Sequence, residues 1–155
     1  MSFQISALEG RQFAPLFRMP KDELAGHLAT RCTATTKPGF PCRVSLVDAE
    51  VGDQLLLLNY MHQGIASPYR ASHAIYIRQG VERARPAVNE VPELFRFRIL
   101  SSRAFDADGM MVTADLCDGK ELEILLERQL GLARVAYIHI HYAKFGCYAA
   151  RADRV

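Results

Sequence analysis

His139 and His141 stand two residues apart in the string Tyr137-Ile138-His139-Ile140-His141. In an extended strand alternate side chains share a face, so the two rings project together with Cβ atoms about 6–7 Å apart and can converge on one metal ion. A pair supplies only two ligands. A third has to come from elsewhere in the chain, with His62, His73, Asp115 and Cys147 as candidates. Without a metal the same rings serve as hydrogen-bonding groups in a cleft or at the surface. Tyr137 falls on their face, whereas Ala136, Ile138 and Ile140 make an apolar face suited to a core.

Cysteine chemistry is the second option. Cys147 follows a turn over residues 143–146, and the length of that loop decides its neighbour: three or five residues set His141 opposite it, two or four set Tyr142 there. A His141–Cys147 contact favours the thiolate, the form that attacks as a nucleophile. An inert buried thiol is the alternative. Cys42 lies in Pro38-Gly39-Phe40-Pro41-Cys42-Arg43. Two prolines around a glycine stiffen that backbone and aim its last two side chains, which makes Cys42 a candidate nucleophile and Arg43 a candidate anion ligand. A structural turn with a core thiol makes the same demand.

His62-Gln63 and Ser67-Pro68-Tyr69-Arg70-Ala71-Ser72-His73 form a polar, aromatic and basic stretch between two expected strands. Tyr69, Arg70 and His73 offer a hydroxyl, a guanidinium fork and an imidazole within five residues. Together with Arg43, His139 and Arg151 they are the candidate ligand-binding residues; the catalytic candidates are Cys42, Cys147 and His141. There is no glycine-rich phosphate loop, nucleophile elbow or paired-carboxylate pattern, so no cofactor is implied beyond a metal on His139 and His141.

These residues must be held by one folded unit. The 155 residues are 50% hydrophobic and 23% charged, which suits a single compact domain over residues 1–155 that buries its own core. A formal net charge of +2, with acidic residues interrupting the basic ones, argues against a nucleic-acid partner. Arginines outnumber lysines 15 to 4, which favours fixed carboxylate or phosphate contacts, although a codon bias gives the same excess. The four cysteines are too far apart in sequence for a zinc or redox pair, and no apolar run is long enough for a membrane span. A cytoplasmic location with reduced thiols is the expectation.

Pro20 with Lys21, Asp22 and Glu23 predicts a helix start, with Leu24 and Leu28 on one face. Residues 33–41 read as a loop, 48–53 as a turn and 54–59 as a strand buried on both faces. Residues 61–72 read as irregular, 74–78 as a half-buried strand and 80–92 as a polar connection. Residues 94–105 predict a strand with Phe95, Phe97 and Ile99 on one face and Arg96 and Arg98 on the other. Asp106-Ala107-Asp108-Gly109 turns the chain and 110–116 returns antiparallel. Asp118 with Glu121 resembles a capping box opening a helix through Leu130, closed by Gly131, with Leu122, Leu125, Leu126 and Leu130 as its buried stripe. Residues 135–141 and 147–151 predict a closing hairpin. The fold class is α+β, a mainly antiparallel sheet with two helices packed on one face.

Taken as a set, the 38–43 string, Leu55 to Tyr60 with His62-Gln63, Ser67-Pro68-Tyr69-Arg70, His139-Ile140-His141 and Gly146-Cys147-Tyr148 resemble a bacterial family catalogued as domain of unknown function 1203. The resemblance covers most of the chain and implies a single bacterial domain. It carries no activity, cofactor or catalytic residue.

Three functions follow from the residues. The first is a cleft binding a small anionic molecule through Arg43, Arg70 and Arg151, with Tyr69, His73, His139 and His141 as polar contacts. The second is an enzyme, using either a cysteine with a histidine or a metal on His139 and His141. The third is a structural module in which an edge strand pairs with a second copy to give a homodimer.

Overall fold

A computed structural model describes residues 1–155. Eight strands and two helices follow the chain as β1 (Phe3–Ser6), α1 (Lys21–Gly26), β2 (Ala29–Thr33), β3 (Gln54–Gln63), β4 (Ala71–Arg78), β5 (Ile99–Phe105), β6 (Met111–Asp118), α2 (Leu122–Leu130), β7 (Tyr137–Tyr142) and β8 (Tyr148–Arg154). All strand pairings are antiparallel, as the α+β reading requires. The strands divide into two sheets, ordered β1-β8-β7-β5-β6 and β2-β3-β4. No helix is long and apolar enough to cross a membrane.

The larger sheet places Leu100, Ala104, Ile138, Ile140, Ala150 and Ala152 in one buried cluster with Leu122, Leu126 and Leu130 of α2. These leucines recur at helical spacing, so one stripe of α2 meets the sheet; Leu126→Ala there costs about 2–5 kcal/mol. A second cluster joins Leu56, Leu58, Ile75 and Ile77 of the smaller sheet to Cys42, Val44, Phe13 and Leu24. The continuous leucine run of β3 is thus buried on both faces, since Leu55 packs with Ala34 and Ala49 on the other side.

Several local expectations are corrected. Residues 94–105 are not one strand: Glu93–Phe95 form a 3-10 turn whose amides bond backwards, Phe95 to Pro92 and Arg96 to Glu93, and extension begins at Ile99. Period-2 alternation holds only in extended chain, so Phe95 is fully buried while Phe97 and Ile99 are 54% and 55% exposed. Arg98 turns inward to a two-bond pair with the buried Asp48, at 2.6 and 2.9 Å. Residues 61–63 and 71–72, expected to be irregular, extend β3 and β4. Leu28 is exposed rather than stacked on Leu24, because α1 stops at Gly26 and Leu28 takes a φ of 54° that swings the chain into β2, an unforeseen strand. Asp118 caps the short 3-10 turn Gly119–Glu121 through the Lys120 amide and makes no capping box with Glu121.

Candidate metal centre

The face of the larger sheet opposite α2 is polar and aromatic. Register sets Arg103, His139 and Arg151 side by side in one row across β5, β7 and β8, with Ser101, His141 and Tyr148 in the next and Phe105, Tyr137 and Asp153 in a third. Pairing of Ile140 with Ala150 and of His141 with Tyr148 leaves Ala149 as an extra residue in β8. That β-bulge brings the Tyr148 ring onto the histidine face.

A second bulge supplies the third histidine. Met61 pairs with Ser72 and Gln63 with Ala71, so His62 is the unpaired residue at the end of β3. Its ring stacks on Tyr148 at 5.6 Å between centroids with planes 4° apart, and lies 4.9 Å from the ring of His141 and 6.0 Å from that of His139. The Gln63 amide donates to the Tyr137 hydroxyl at 2.8 Å, tying the same strand end to β7. Three imidazoles from two sheets therefore meet, with their ligating nitrogens all within 4.8 Å of one another. Nitrogens around tetrahedral zinc, each bonded at about 2.0–2.1 Å, stand roughly 3.3 Å apart, so closure takes rotations of about an ångström.

The hydrogen-bonding state of the rings is specific. Nδ1 of His141 lies 3.0 Å from the Gly146 carbonyl, which can only accept, so Nδ1 carries the proton and Nε2 presents its lone pair. That Nε2 is buried without a partner, as are Nδ1 of His62 and Nδ1 of His139; the only other buried, unpartnered side-chain atom in the protein is Nε2 of Gln129. A buried polar atom left unpaired costs about 1–3 kcal/mol, and three such atoms fall within one histidine cluster. Burial, then the Arg103 guanidinium and His73, lower His62 to about 4. His139 is lowered to about 3 by burial, then by His62, Arg151 and Arg103. Burial also lowers His141 to about 3, against the pull of its bond to Gly146. All three are neutral at pH 7, the state that coordinates a metal.

Of the other third-ligand candidates, Asp115 is exposed and paired with Arg128 at 2.6 Å, and Nδ1 of His73 lies 3.0 Å from the Ala74 carbonyl. Cys147 is drawn elsewhere. The four-residue loop 143–146 sets Tyr142 opposite it, with the Tyr142 amide donating to the Cys147 carbonyl at 3.0 Å, so His141 and Cys147 do not face each other. The Cys147 thiol instead accepts from Nη2 of Arg43 at 3.0 Å.

Arg43 is bonded internally on all three of its guanidinium nitrogens. It is 1% exposed, and its Nε and Nη1 donate to the carbonyls of Tyr148 (2.8 Å) and Pro41 (2.6 Å). It thereby ties the 38–43 string to the start of β8, whose Tyr148 ring abuts all three histidines. The Cys42 thiol is fully buried and accepts from the amides of Ser45 and Arg78, with no histidine among its partners. Tyr69 and Arg70 are exposed on the loop between β3 and β4; Tyr69 packs edge-on against Phe105, which in turn tilts against His139. Arg151 is held by Asp153 and lies 4.3 Å over the Tyr137 ring.

Sequence reasoning did not single out Arg103, and it named Tyr148 only within the family resemblance, with no part in the site. A lone guanidinium on the Ser101, Arg103, Phe105 face of a strand was the available signal for the first. Nothing short of the bulge placed the second.

The chain is thus a two-sheet α+β domain with three clustered histidines, contributed by both sheets, that could hold a metal ion. The chain belongs to the family described as protein of unknown function, DUF1203, whose model matches residues 39–154 and so includes all three histidines and Arg103. No curated protein and no solved structure matches it.

Proposed function

We propose that the protein is a metal-binding domain, holding one divalent transition metal of the zinc class through His62, His139 and His141. The observation that carries this reading is a cluster of three histidines from two sheets, with one ligating nitrogen from each within 4.8 Å of the others, in which every ring also has a buried nitrogen without a partner. An all-imidazole set suits zinc, copper, nickel or iron. Three protein ligands leave a position open for an outside molecule, the arrangement of catalytic rather than structural zinc sites. Neutral ligands leave the full charge on the ion, which makes it a strong Lewis acid. Elemental analysis of protein purified without a His tag, followed by Co2+ titration read by its visible absorption, tests the reading. One ion per chain, lost in His62→Ala and in His139→Ala, is expected; a folded wild-type protein that takes up no ion would overturn it.

A second reading, an anionic small molecule in a cleft, has its own observation. A cavity of about 600 Å³ is lined by Leu57, Tyr76, Phe97, Tyr142 and Phe145, with Lys144, His73, Arg43 and Cys147 also on its wall. Because Arg43 is committed internally and Arg98, also on the wall, is paired with Asp48, Lys144 supplies the charge for an aromatic carboxylate there. Benzoate-type ligands should raise the melting temperature of wild type and not of Lys144→Glu; equal shifts in both would remove this reading.

A further inference from the structure

Arg103 stands beside the histidine cluster without a counter-charge. It is opposite His139 in the β5–β7 ladder, and it is partly buried. Its one side-chain hydrogen bond is a long one, Nε to the Ser101 hydroxyl at 3.4 Å. Every other partly or fully buried arginine donates to a carboxylate or a backbone carbonyl: Arg43, Arg78, Arg83, Arg96, Arg98, Arg151. The acid in the neighbouring rows, Asp153, is already held by three bonds from Arg151 at 2.6 to 3.0 Å.

A divalent ion on three neutral imidazoles adds two positive charges next to this free guanidinium, and no carboxylate belongs to the cluster. Removing charge from water without a counter-charge is unfavourable, and an anion that touches both cations offsets it. The Arg fork matches two oxygens of a planar or tetrahedral oxyanion.

We infer that the exogenous ligand of the metal centre is an oxyanion, of carboxylate or phosphate type, with one oxygen in the open coordination position and a second held by Arg103. The inference rests on the metal reading above. Arg151 stays with Asp153 and shapes the far side of the site.

Co2+-loaded wild type and Arg103→Gln are titrated with phosphate, acetate and azide, following the visible bands. Azide needs only the ion and serves as the control. Loss of a charge-assisted fork should weaken phosphate and acetate roughly 10- to 100-fold in Arg103→Gln while azide changes less than about twofold. Comparison of phosphate with acetate in wild type identifies which oxyanion class the site takes. Equal oxyanion affinity in the two proteins, or no band shift with either oxyanion in wild type, overturns the role of Arg103 and leaves the metal centre standing. If wild type takes up no Co2+, the metal reading falls and this inference falls with it.

Discussion

The Gly146 carbonyl, 3.0 Å from Nδ1 of His141, decides which nitrogen of that ring is free. Gly146 has a φ of +76°, a left-handed conformation in which a β-carbon is strained although nothing lies within 4 Å to obstruct one. Gly146→Ala should therefore cost about 1–2 kcal/mol of stability. It should also weaken zinc binding about 10- to 100-fold by loosening the partner that orients the ring. A chelator-competition titration beside a urea melt separates the two effects; unchanged zinc affinity would show that the carbonyl does not orient His141.

The metal-free protein should be acid-sensitive. Its three clustered histidines sit at about 4, 3 and 3 when folded, against 6.5 for an ordinary histidine, mainly because they are buried. Between those values the unfolded chain binds protons that the folded one refuses, so protonation favours unfolding. Stability is then fully present above about 6.5 and declines as pH falls toward about 3. Urea midpoints from pH 7.5 to 4.5 measure this, and His139→Gln should flatten the slope; an unchanged slope in that variant would place the acid sensitivity elsewhere.

Arg43→Ala should destabilise the protein by about 3 kcal/mol or more, since the carbonyls of Tyr148 and Pro41 and the Cys147 thiol lose a buried charged donor together. Arg43→Lys should recover little of this, because an ammonium cannot reach three acceptors in a fork. Thermal melts of both variants provide the check. A fully stable Arg43→Ala protein would return Arg43 to the pool of free ligand-binding cations.

Thiol reagents should label all four cysteines slowly at neutral pH. Cys42 and Cys147 are buried. Burial raises Cys32, and burial with Glu121, Asp118 and Asp115 pushes Cys117 up to about 11, which leaves little thiolate. Mass-resolved alkylation kinetics would reveal any exception, and a Cys147 that reacted hundreds of times faster than Cys32 would revive the thiol enzyme.

How legible the site was depended on how local its causes were. His139 and His141 share a face by strand geometry alone, and Leu122, Leu125, Leu126 and Leu130 form a buried stripe by helix geometry alone. The strand pairs β5–β6 and β7–β8 were readable from alternation and turn residues, whereas β3 and β4 were readable only as separate strands. The choice of His62 over His73, Asp115 and Cys147 was not, because it depends on a bulge at the end of β3 and on the packing of one sheet against another.

The chain by itself thus determined an antiparallel α+β fold and the shared face of His139 and His141. Those features follow from dihedral preferences and periodicity within a few residues. Tertiary structure alone decided that His62 completes the cluster, that Arg43 is tied up inside, and that Arg103 remains unpaired. The first two turn on groups 79 and 105 residues apart in the chain, between His62 and His141 and between Arg43 and Tyr148, and no local preference encodes whether such groups meet.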